Sequence, residues 1–473
     1  MDKKLLCELI DSKADFLNDL GDRIWEHPEL AFTENVSAEV LLEALEQEGF
    51  EVTRNVADIA TAFSGRFGSG KPVIGILGEY DALSGLSQVP GCTQKQPLIP
   101  GGNGQGCGHH LLGAASIGAA IAVKEQIAAG NLCGTVVFYG CPGEEGCAGK
   151  TFMARDGMFR DLDAALSWHP DDVNEVTTGS NAACIQMEYT FTGIAAHAAG
   201  DPEHGRSALD AAELMNVGVQ FLREHMSKAC SIHYSILDGG GISPNVVQPT
   251  AKLLYMVRGN NVRSAKALLA RVDKVAQGAA IMTETTYTSR QIDGTSDTVS
   301  NTVLEKLLYE NLQQAPLPTY TPEEEAFAAA LKETFGEASV PGVGCKFDRV
   351  VKAKVSKLTD GGKLPLNNFI MPYVPTNYMS PGSTDVGDVS WLTPTAQFNA
   401  ATWVSGSPGH SWQNVSTGKT SIAHKGLLFA AKVLAAATAD LMENPEILAA
   451  AREEFNLTTA EGYDCPITKE VTF

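Results

Sequence analysis

The sequence predicts an α/β protein with a central, mostly parallel sheet that carries helices on both faces, and with a smaller domain inserted into it. Two observations lead to this fold class. Apolar strand-like runs at 71–83 and 134–146 alternate with helical patterns at 109–127 and 148–159, which is typical of a parallel α/β sheet. Further along the chain, the order of elements changes to one that forms a compact unit by itself.

That second pattern begins near residue 184 and ends near residue 301. Its predicted order is strand, helix, strand, strand, helix, strand, which is the ferredoxin-like arrangement. The elements are CIQMEYTFT (184–192), a helix over 206–225, SIHYSIL (231–237), AKLLYMVR (251–258), a helix over 263–278 and MTETTYTS (282–289). We therefore predict a catalytic domain formed by 1–183 and 302–473, interrupted by an inserted domain at 184–301.

The amino-terminal segment, from Lys3 to about Gln47, has the apolar spacing of two amphipathic helices interrupted at EHPELAF (26–32). Two later apolar stretches, LLGAASIGAAIAV (111–123) and GLLFAAKVLAAATADL (426–441), are too short or too interrupted by charge to span a bilayer. We predict that both are buried helices. No signal peptide is recognisable at the start of the sequence.

Composition narrows the possible partners and the compartment. The 473 residues include 44% hydrophobic and 19% charged residues, as in a globular protein of more than one domain. A formal net charge of −21 argues against nucleic acid or an anionic membrane as a partner, because both select clustered Lys and Arg. Ten scattered cysteines suggest reduced thiols and a cytoplasmic location.

Candidate ligands for a metal follow several predicted strands. Cys107 and His109 lie in a glycine-rich turn, GQGCGHHLLGAAS (104–116), which opens a predicted helix. The strand ends CPGEEG, SWHP and SGSPGHSW supply four more candidates, Glu144, Glu145, His169 and His410. A single buried Cys or His is commonly core packing, and adjacent glutamates are commonly solvated. Since strand ends of an α/β sheet converge on one crevice, the set as a whole predicts a metal site.

The order and spacing of these motifs resemble a known family. The motifs are EHPELAF, GEYDAL, GCGHHLLGAA, PGEEG, SWHP, GIAAHAAGDPEHGRSALDA, GGGISPNVVQPTAKLLYMVR and SGSPGHSW. Together they resemble the dinuclear metallopeptidase family of hippurate hydrolases, aminoacylases and auxin-conjugate amidohydrolases. The similarity runs from about residue 20 to residue 430.

This resemblance implies a role for each matching residue. Cys107 would bridge two divalent ions, with His109 and His169 completing one site and Glu145 and His410 the other. Glu144 would be the general base, and Asp81 would orient the site without touching metal. Thiolate and imidazole ligands suit zinc, whereas carboxylates suit manganese, so both ions are expected candidates.

Three residues of the inserted domain also match the family. His197 would stabilise the oxyanion in the active site of a partner subunit, or would be an interface histidine without chemistry. Asn245 and Arg258 would bind the terminal carboxylate of the substrate, for which the planar guanidinium is suited; Arg258 could instead form a surface salt bridge. The chain departs from relatives at His110, where Asp is common, and at Glu79, where Asp or His is usual.

The expected function is that of a metal-dependent amidohydrolase. It would cleave an N-acyl or N-aroyl amino acid with a free carboxylate, and p-aminobenzoyl-glutamate is the first substrate to try. A dipeptidase or another N-acyl amino acid hydrolase, of the auxin-aspartate type, uses the same residues. A metal-holding subunit without catalysis is a further alternative, against which all expected ligands and Glu144 are present. The resemblance implies a homodimer, or a heterodimer with a homologous subunit.

Overall fold

The chain folds into two compact units. The computed structural model describes all residues except 147, 337–339, 342–347 and 473, so Cys147 and Cys345 lie outside the described residues. The larger unit comprises 1–180, 299–378 and 389–462; the smaller unit comprises 181–298, 379–388 and 463–473. The domain limits given above stay predictions; in the structure, the short segments 379–388 and 463–473 pack with the smaller unit.

The helices of the described residues are α1 (Lys3–Ser12), α2 (Ala14–Glu26), α3 (Asn35–Gln47), α4 (His109–Ala128), α5 (Gly149–Arg155), α6 (Ala208–Arg223), α7 (Val262–Thr283), α8 (Thr302–Gln314), α9 (Pro322–Lys332), α10 (Arg349–Leu358), α11 (Val386–Ser390), α12 (Trp412–Gly418), α13 (Ser421–Glu443) and α14 (Pro445–Thr458).

The strands are β1 (Glu51–Arg54), β2 (Phe63–Ser69), β3 (Val73–Gly78), β4 (Gly134–Gly140), β5 (Ala164–Asp171), β6 (Glu175–Val176), β7 (Ser180–Asn181), β8 (Ala183–Thr192), β9 (Ser231–Asp238), β10 (Thr250–Gly259), β11 (Thr286–Thr295), β12 (Met379–Ser380) and β13 (Thr395–Ala401). Short 3₁₀ turns lie at Val56–Asp58 and Pro202–His204.

The larger unit has a seven-stranded sheet in the order β1-β2-β4-β3-β5-β13-β6. Its four inner strands, β4, β3, β5 and β13, are parallel, whereas β2, β1 and β6 are antiparallel additions at the edges. All residues of β3 and β4 are buried, as expected for strands covered on both faces. The predicted α/β class is confirmed, with the parallel part at the centre of a mixed sheet.

Helices α4 and α13 lie at the centre of the hydrophobic core of this unit. Among the described residues, these two helices have enough length and apolar character to cross a membrane, and most of each is buried inside the protein. Small residues let α4 approach the sheet: a Cβ at Gly113 would lie 2.7 Å from the carbonyl oxygen of Glu79. The prediction of two buried helices is confirmed, and α4 is packed tightly against the end of β3.

The smaller unit has a four-stranded antiparallel sheet in the order β11-β8-β10-β9, with α6 and α7 packed on it. The chain order β8, α6, β9, β10, α7, β11 confirms the predicted ferredoxin-like arrangement. Residues of β10 alternate between buried and partly exposed, because one face of the sheet is covered by helices and the other is open.

Three predicted elements differ from the structure. The first amino-terminal helix is two helices, α1 and α2, because Lys13 leaves helical geometry between them. The predicted helix at 148–159 ends at Arg155. The last strand of the insert begins at Thr286 and not at residue 282, because α7 continues to Thr283 and Glu284 ends it in a left-handed conformation.

Candidate metal centre

The predicted ligands lie at the carboxyl ends of the parallel strands of the larger unit. Asp81 follows β3, the Glu144–Glu145 pair follows β4, His169 is near the end of β5, and His410 follows β13. In open α/β sheets this edge is where ligands bind. The fold therefore brings together residues that are far apart in the chain.

The glycine-rich turn places Cys107 and His109 at the same edge. Gly108 has φ +82°, a left-handed conformation that favours glycine. A Cβ at this position would lie 2.8 Å from the Trp403 ring and 2.9 Å from Pro170. Glycine thus lets the turn pass close to both side chains, and His109 then begins α4.

The candidate ligand atoms form two groups that share one thiol. Cys107, His109 and His169 form the first group, and Cys107, Glu145 and His410 form the second; within each group the ligand atoms lie within 4.8 Å of one another. A third group joins His109 to Glu144 and Glu145. Cys107 is common to the first two groups, and its role as a shared ligand of two cations stays a prediction of the resemblance.

Hydrogen bonds turn the imidazoles so that one nitrogen of each faces these groups. His109 Nδ1 lies 2.8 Å from Asp81 Oδ1, and Asp81 Oδ2 accepts the Glu145 N–H at 2.8 Å. His169 Nδ1 lies 2.7 Å from the Pro170 carbonyl oxygen, which assigns the proton to Nδ1. The Nε2 atom of His169 is then an acceptor, 3.4 Å from Cys107 Sγ. Such partners orient metal-binding histidines.

Several buried polar atoms at this centre lack a hydrogen-bond partner among the described residues. They include His109 Nε2, Glu79 Oε2 and Glu145 Oε1. His109 Nε2 is 3.3 Å from Glu79 Oε2, and His410 Nε2 is 3.5 Å from Glu145 Oε1, but neither pair is aligned as a hydrogen bond. Buried polar atoms are nearly always satisfied. Divalent ions bound between these atoms would satisfy them, so the donor set fits the predicted metals.

Burial shifts the pKa values of one thiol and one imidazole in this pocket toward their neutral forms. Burial raises the pKa of the Cys107 thiol above its usual range. Burial, assisted by the neighbouring His109, lowers the pKa of His169 to about 4, so His169 is a neutral imidazole near pH 7. A bound cation reverses the effect of burial on the thiol because it stabilises the thiolate directly.

The loop that carries Glu144 is held by a residue that sequence reasoning missed. Glu34 is fully buried; its Oε1 accepts the Gly143 N–H at 2.8 Å and its Oε2 accepts the Thr61 hydroxyl at 3.0 Å. Burial raises the pKa of Glu34 to about 7. Nothing in the local sequence of Glu34 indicates this long-range contact.

Glu79 and His110 are buried beside the ligands. Glu79 Oε1 forms an ion pair of 2.6 Å with Lys150 Nζ, and Lys150 is completely buried. Burial opposes the charge of Glu79, but Lys150 and His109 outweigh it and keep its pKa below the usual value. His110 is in none of the ligand groups of the described residues: its Nε2 lies 2.9 Å from the Gly418 carbonyl oxygen, and burial lowers its pKa to about 3.

The remaining candidates, His197, Asn245 and Arg258, are in the smaller unit. His197 and Asn245 are exposed and adjacent, because Ala198 N–H donates to the Asn245 carbonyl oxygen at 3.0 Å. His197 Nδ1 accepts the N–H groups of Ala199 and Gly200, so in the neutral ring Nε2 carries the proton and can donate.

Arg258 lies elsewhere in the same unit. Its Nη1 donates to Ser383 Oγ at 2.5 Å and to the Pro381 carbonyl oxygen at 3.3 Å. Among the described residues, no hydrogen bond joins Arg258 to His197 or to Asn245. The hydrogen bonds to Pro381 and Ser383, which both belong to the segment 379–388, orient the guanidinium of Arg258.

Comparisons with known proteins identify the relatives of this chain. Residues 181–283 match the peptidase dimerisation domain family. The chain is 45% identical to one of the p-aminobenzoyl-glutamate hydrolase subunits of Escherichia coli (strain K12), over 99% of this chain and 98% of that protein. It is 26% identical to the Xaa-Arg dipeptidase of Homo sapiens, over 96% of this chain and 92% of that protein.

A similar fold is known from a crystal structure of a dinuclear metal-binding peptidase of the M20 family from Bacillus subtilis. That structure has a TM-score of 0.57 and 18% sequence identity, and the match covers 92% of this chain and 99% of that one. At this identity the likeness concerns the fold alone. Together with the near full-length relative from E. coli, these findings establish that the chain belongs to the M20 family of metallopeptidases and amidohydrolases, which are hydrolases of amide bonds.

Proposed function

We propose that this protein is a two-metal amidohydrolase that releases glutamate from p-aminobenzoyl-glutamate. The observation that carries the proposal is the pair of ligand groups sharing Cys107, with Glu144 beside them. The named substrate comes from the E. coli relative, which is 45% identical over nearly the whole chain. The ions are manganese or zinc, because the donor set combines a thiol, imidazoles and a carboxylate.

When bound, the two ions would polarise the amide carbonyl and lower the pKa of water in the site. Cys107, His109 and His169 would hold one ion, and Cys107, Glu145 and His410 the other. Asp81 would keep His109 in the required tautomer. Glu144 would accept a proton from the attacking water and then donate it to the leaving amine.

The smaller unit would supply binding and oxyanion stabilisation. The exposed His197 has Nε2 as its donor, which is what a developing oxyanion needs. Asn245 and Arg258 would bind the substrate carboxylate, with Arg258 in a bidentate contact. In this proposal His197 acts in the site of a partner subunit.

The exposed apolar residues on and near the edge strand β9 of the smaller sheet are evidence in favour of association with another subunit. Strand β9 is paired on one side only among the described residues, and Tyr234, Ile236 and Leu237 on it are exposed. Phe221 and Val217 on α6 are exposed as well. An exposed edge strand with apolar neighbours is a typical surface for pairing with another chain. We infer a homodimer or a heterodimer with a homologous subunit, in the cytoplasm.

The test is hydrolysis of p-aminobenzoyl-glutamate by protein purified alone and reconstituted with Mn²⁺ or Zn²⁺. We expect release of glutamate, and we expect Glu144→Ala to keep the metals while lowering kcat by two to four orders of magnitude, about the usual contribution of a general base. Full turnover by metal-loaded Glu144→Ala would contradict the role of Glu144. Turnover of only a dipeptide such as alanyl-arginine would favour a dipeptidase, the activity named for the human relative.

A further inference from the structure

A cavity of about 230 Å³ lies directly beside the candidate metal centre, within the larger unit. Its lining includes three of the candidate ligands, Cys107, His169 and His410. It also includes Trp403 and two consecutive aspartates, Asp171 and Asp172. We propose that this cavity binds the acyl group of the substrate, and that Asp172 selects aromatic acyl groups bearing an amino group. This inference rests on the proposed function and specifies its substrate class.

The backbone of β5 aligns its last residue, Asp171, with the metal centre, and Asp172 is the first residue after the strand. Alternate residues of a strand face the same side, so Asp171 faces the same side as His169. At 3.2–3.4 Å per residue, Asp171 lies about 7 Å along the strand from His169, and Asp172 follows it. This separation suits a substituent at the far end of an acyl ring, and it is too long for the α-ammonium group of a dipeptide, which is next to the scissile carbonyl.

Hydrogen bonds fix the two carboxyl groups differently. Both oxygens of Asp171 are engaged, Oδ1 with the Asp172 N–H at 2.6 Å and Oδ2 with Asn399 Nδ2 at 2.6 Å. Asp172 Oδ2 accepts the Gly406 N–H at 2.6 Å and Asn367 Nδ2 at 3.3 Å. The Asp171 and Asp172 carboxyls also share a side-chain hydrogen bond, and burial together with the neighbouring Asp172 raises the pKa of Asp171. Asp172 Oδ1 accepts no hydrogen from an amide, a hydroxyl or an ammonium group of the described residues, and a carboxylate oxygen has more than one lone pair, so it can accept an N–H of a ligand.

The size and walls of the cavity fit one substituted ring. A dry cavity of about 150 Å³ accommodates benzene, whereas sites for drug-sized ligands are about 300–1,000 Å³. The value of 230 Å³ lies between them. Pro170 and the buried Trp403 supply flat apolar surface for the ring. Larger aroyl groups with a fused second ring system are therefore expected to be poor substrates.

The experiment compares p-aminobenzoyl-glutamate with benzoyl-glutamate, using metal-loaded wild-type protein and Asp172→Asn. A hydrogen bond to a charged group contributes about 1.5–3 kcal/mol, so we expect wild-type kcat/KM to favour the amino substrate by about 10- to 100-fold. In Asp172→Asn the ratio should fall to about one. Asp161→Asn, an exposed aspartate outside the cavity, is the matched control and should keep the wild-type ratio.

Measuring the affinity for the acyl products, p-aminobenzoate and benzoate, tests the same proposal without requiring turnover. Titration calorimetry should show p-aminobenzoate binding at least 10-fold more tightly than benzoate to wild-type protein, with the difference lost in Asp172→Asn. The proposal is overturned if wild-type protein does not distinguish the two compounds, or if Asp172→Asn weakens both equally. Absence of hydrolysis together with a retained preference in binding would instead refute the proposed reaction and leave the acyl pocket supported.

Discussion

Among single residues, the buried pair Glu79–Lys150 best illustrates how the structure balances charge near the metal centre. The two side chains are at most 2% exposed and are joined by a contact of 2.6 Å. Glu79 stands at the position where the resemblance leads us to expect Asp or His. The ammonium group of Lys150 neutralises the Glu79 carboxylate beside His109. Burying two opposite charges costs desolvation free energy. Removing one partner costs more stability, because the other charge is then buried without a counter-charge.

We therefore predict that Lys150→Met lowers the free energy of unfolding by about 3–5 kcal/mol, because Glu79 becomes an unpaired buried carboxylate. The double variant Lys150→Met/Glu79→Gln should recover most of this loss. Lys71→Met is the control, since Lys71 is 64% exposed in its pair with Asp163 and such pairs contribute about 1 kcal/mol or less. Urea unfolding measures all three; equal losses for Lys150→Met and the double variant would contradict the charge argument.

At the residue scale, motifs at strand ends indicated which side chains would lie together. Cys107, His109, Glu145, His169 and His410 lie in two groups, because the carboxyl ends of parallel strands meet at one edge of a sheet; their role as metal ligands stays a prediction. Glu34 and Lys150 could not be found in this way. Each acts through a partner that is distant in the sequence, and an isolated acidic or basic residue carries no signal of such a partner.

Among the secondary-structure elements, the loop after β4 is the part that the catalytic proposal depends on most. It carries Glu144 and Glu145, and it is attached to the rest of the unit through Gly143 and Asp81. Gly143 has φ +70°, a conformation that favours glycine. Glu34 holds this turn from the segment between α2 and α3, which links the EHPELAF region to the catalytic loop.

The pKa of Glu34 makes this attachment pH-dependent. Its folded value of about 7 is above the ordinary value of 4.5, so the folded protein binds this proton more tightly than the unfolded chain. The stabilisation is complete below about pH 4.5 and is lost as the pH rises through 7, for a total of up to about 3 kcal/mol.

We predict that Glu34→Gln becomes more stable relative to wild type between pH 5 and pH 8, because the amide does not ionise. Urea unfolding at both pH values measures the change. Glu51→Gln, at an exposed position of β1, should keep a constant difference from wild type. A constant difference for Glu34→Gln as well would show that Glu34 titrates normally in the folded protein.

Elements with strong periodicity were predictable, and their ends were not. The ferredoxin-like order follows from alternating and helical patterns, and the buried helices α4 and α13 follow from long apolar runs. The break at Lys13 and the start of β11 at Thr286 depend on single backbone conformations. In the second case the β-branched threonines after Met282 indicate a strand, whereas packing of α7 against the sheet extends the helix to Thr283.

In the whole molecule, the proposed mechanism would combine residues of two subunits in one active site. The metal ligands and Glu144 belong to the larger unit, and His197 belongs to the smaller unit. If His197 acts across the dimer, chains with complementary defects can restore each other. This expectation comes from the resemblance to the family. It is supported by the exposure of the His197 ring and by its Nε2, which can donate a hydrogen bond to an oxyanion because Nδ1 already accepts backbone N–H groups.

We predict that mixing His197→Ala chains with Glu144→Ala chains restores about a quarter of wild-type activity. Random exchange makes half of the dimers mixed, and each mixed dimer has one intact site of two. The measurement is glutamate release after exchange, with each variant alone as a control. Verified mixed dimers without recovered activity would place His197 in the site of its own chain, whereas full activity of His197→Ala alone would place it outside catalysis.

The most direct test of the account is the number of metal ions per chain, measured by mass spectrometry on reconstituted wild-type protein, Cys107→Ala and His410→Ala. Cys107 belongs to both ligand groups and His410 to one. We predict about two ions per chain in wild type, about one in His410→Ala and fewer than one in Cys107→Ala, with glutamate release in wild type alone. A wild-type protein that binds no ions, or a Cys107→Ala protein that keeps both, would contradict the two-metal centre.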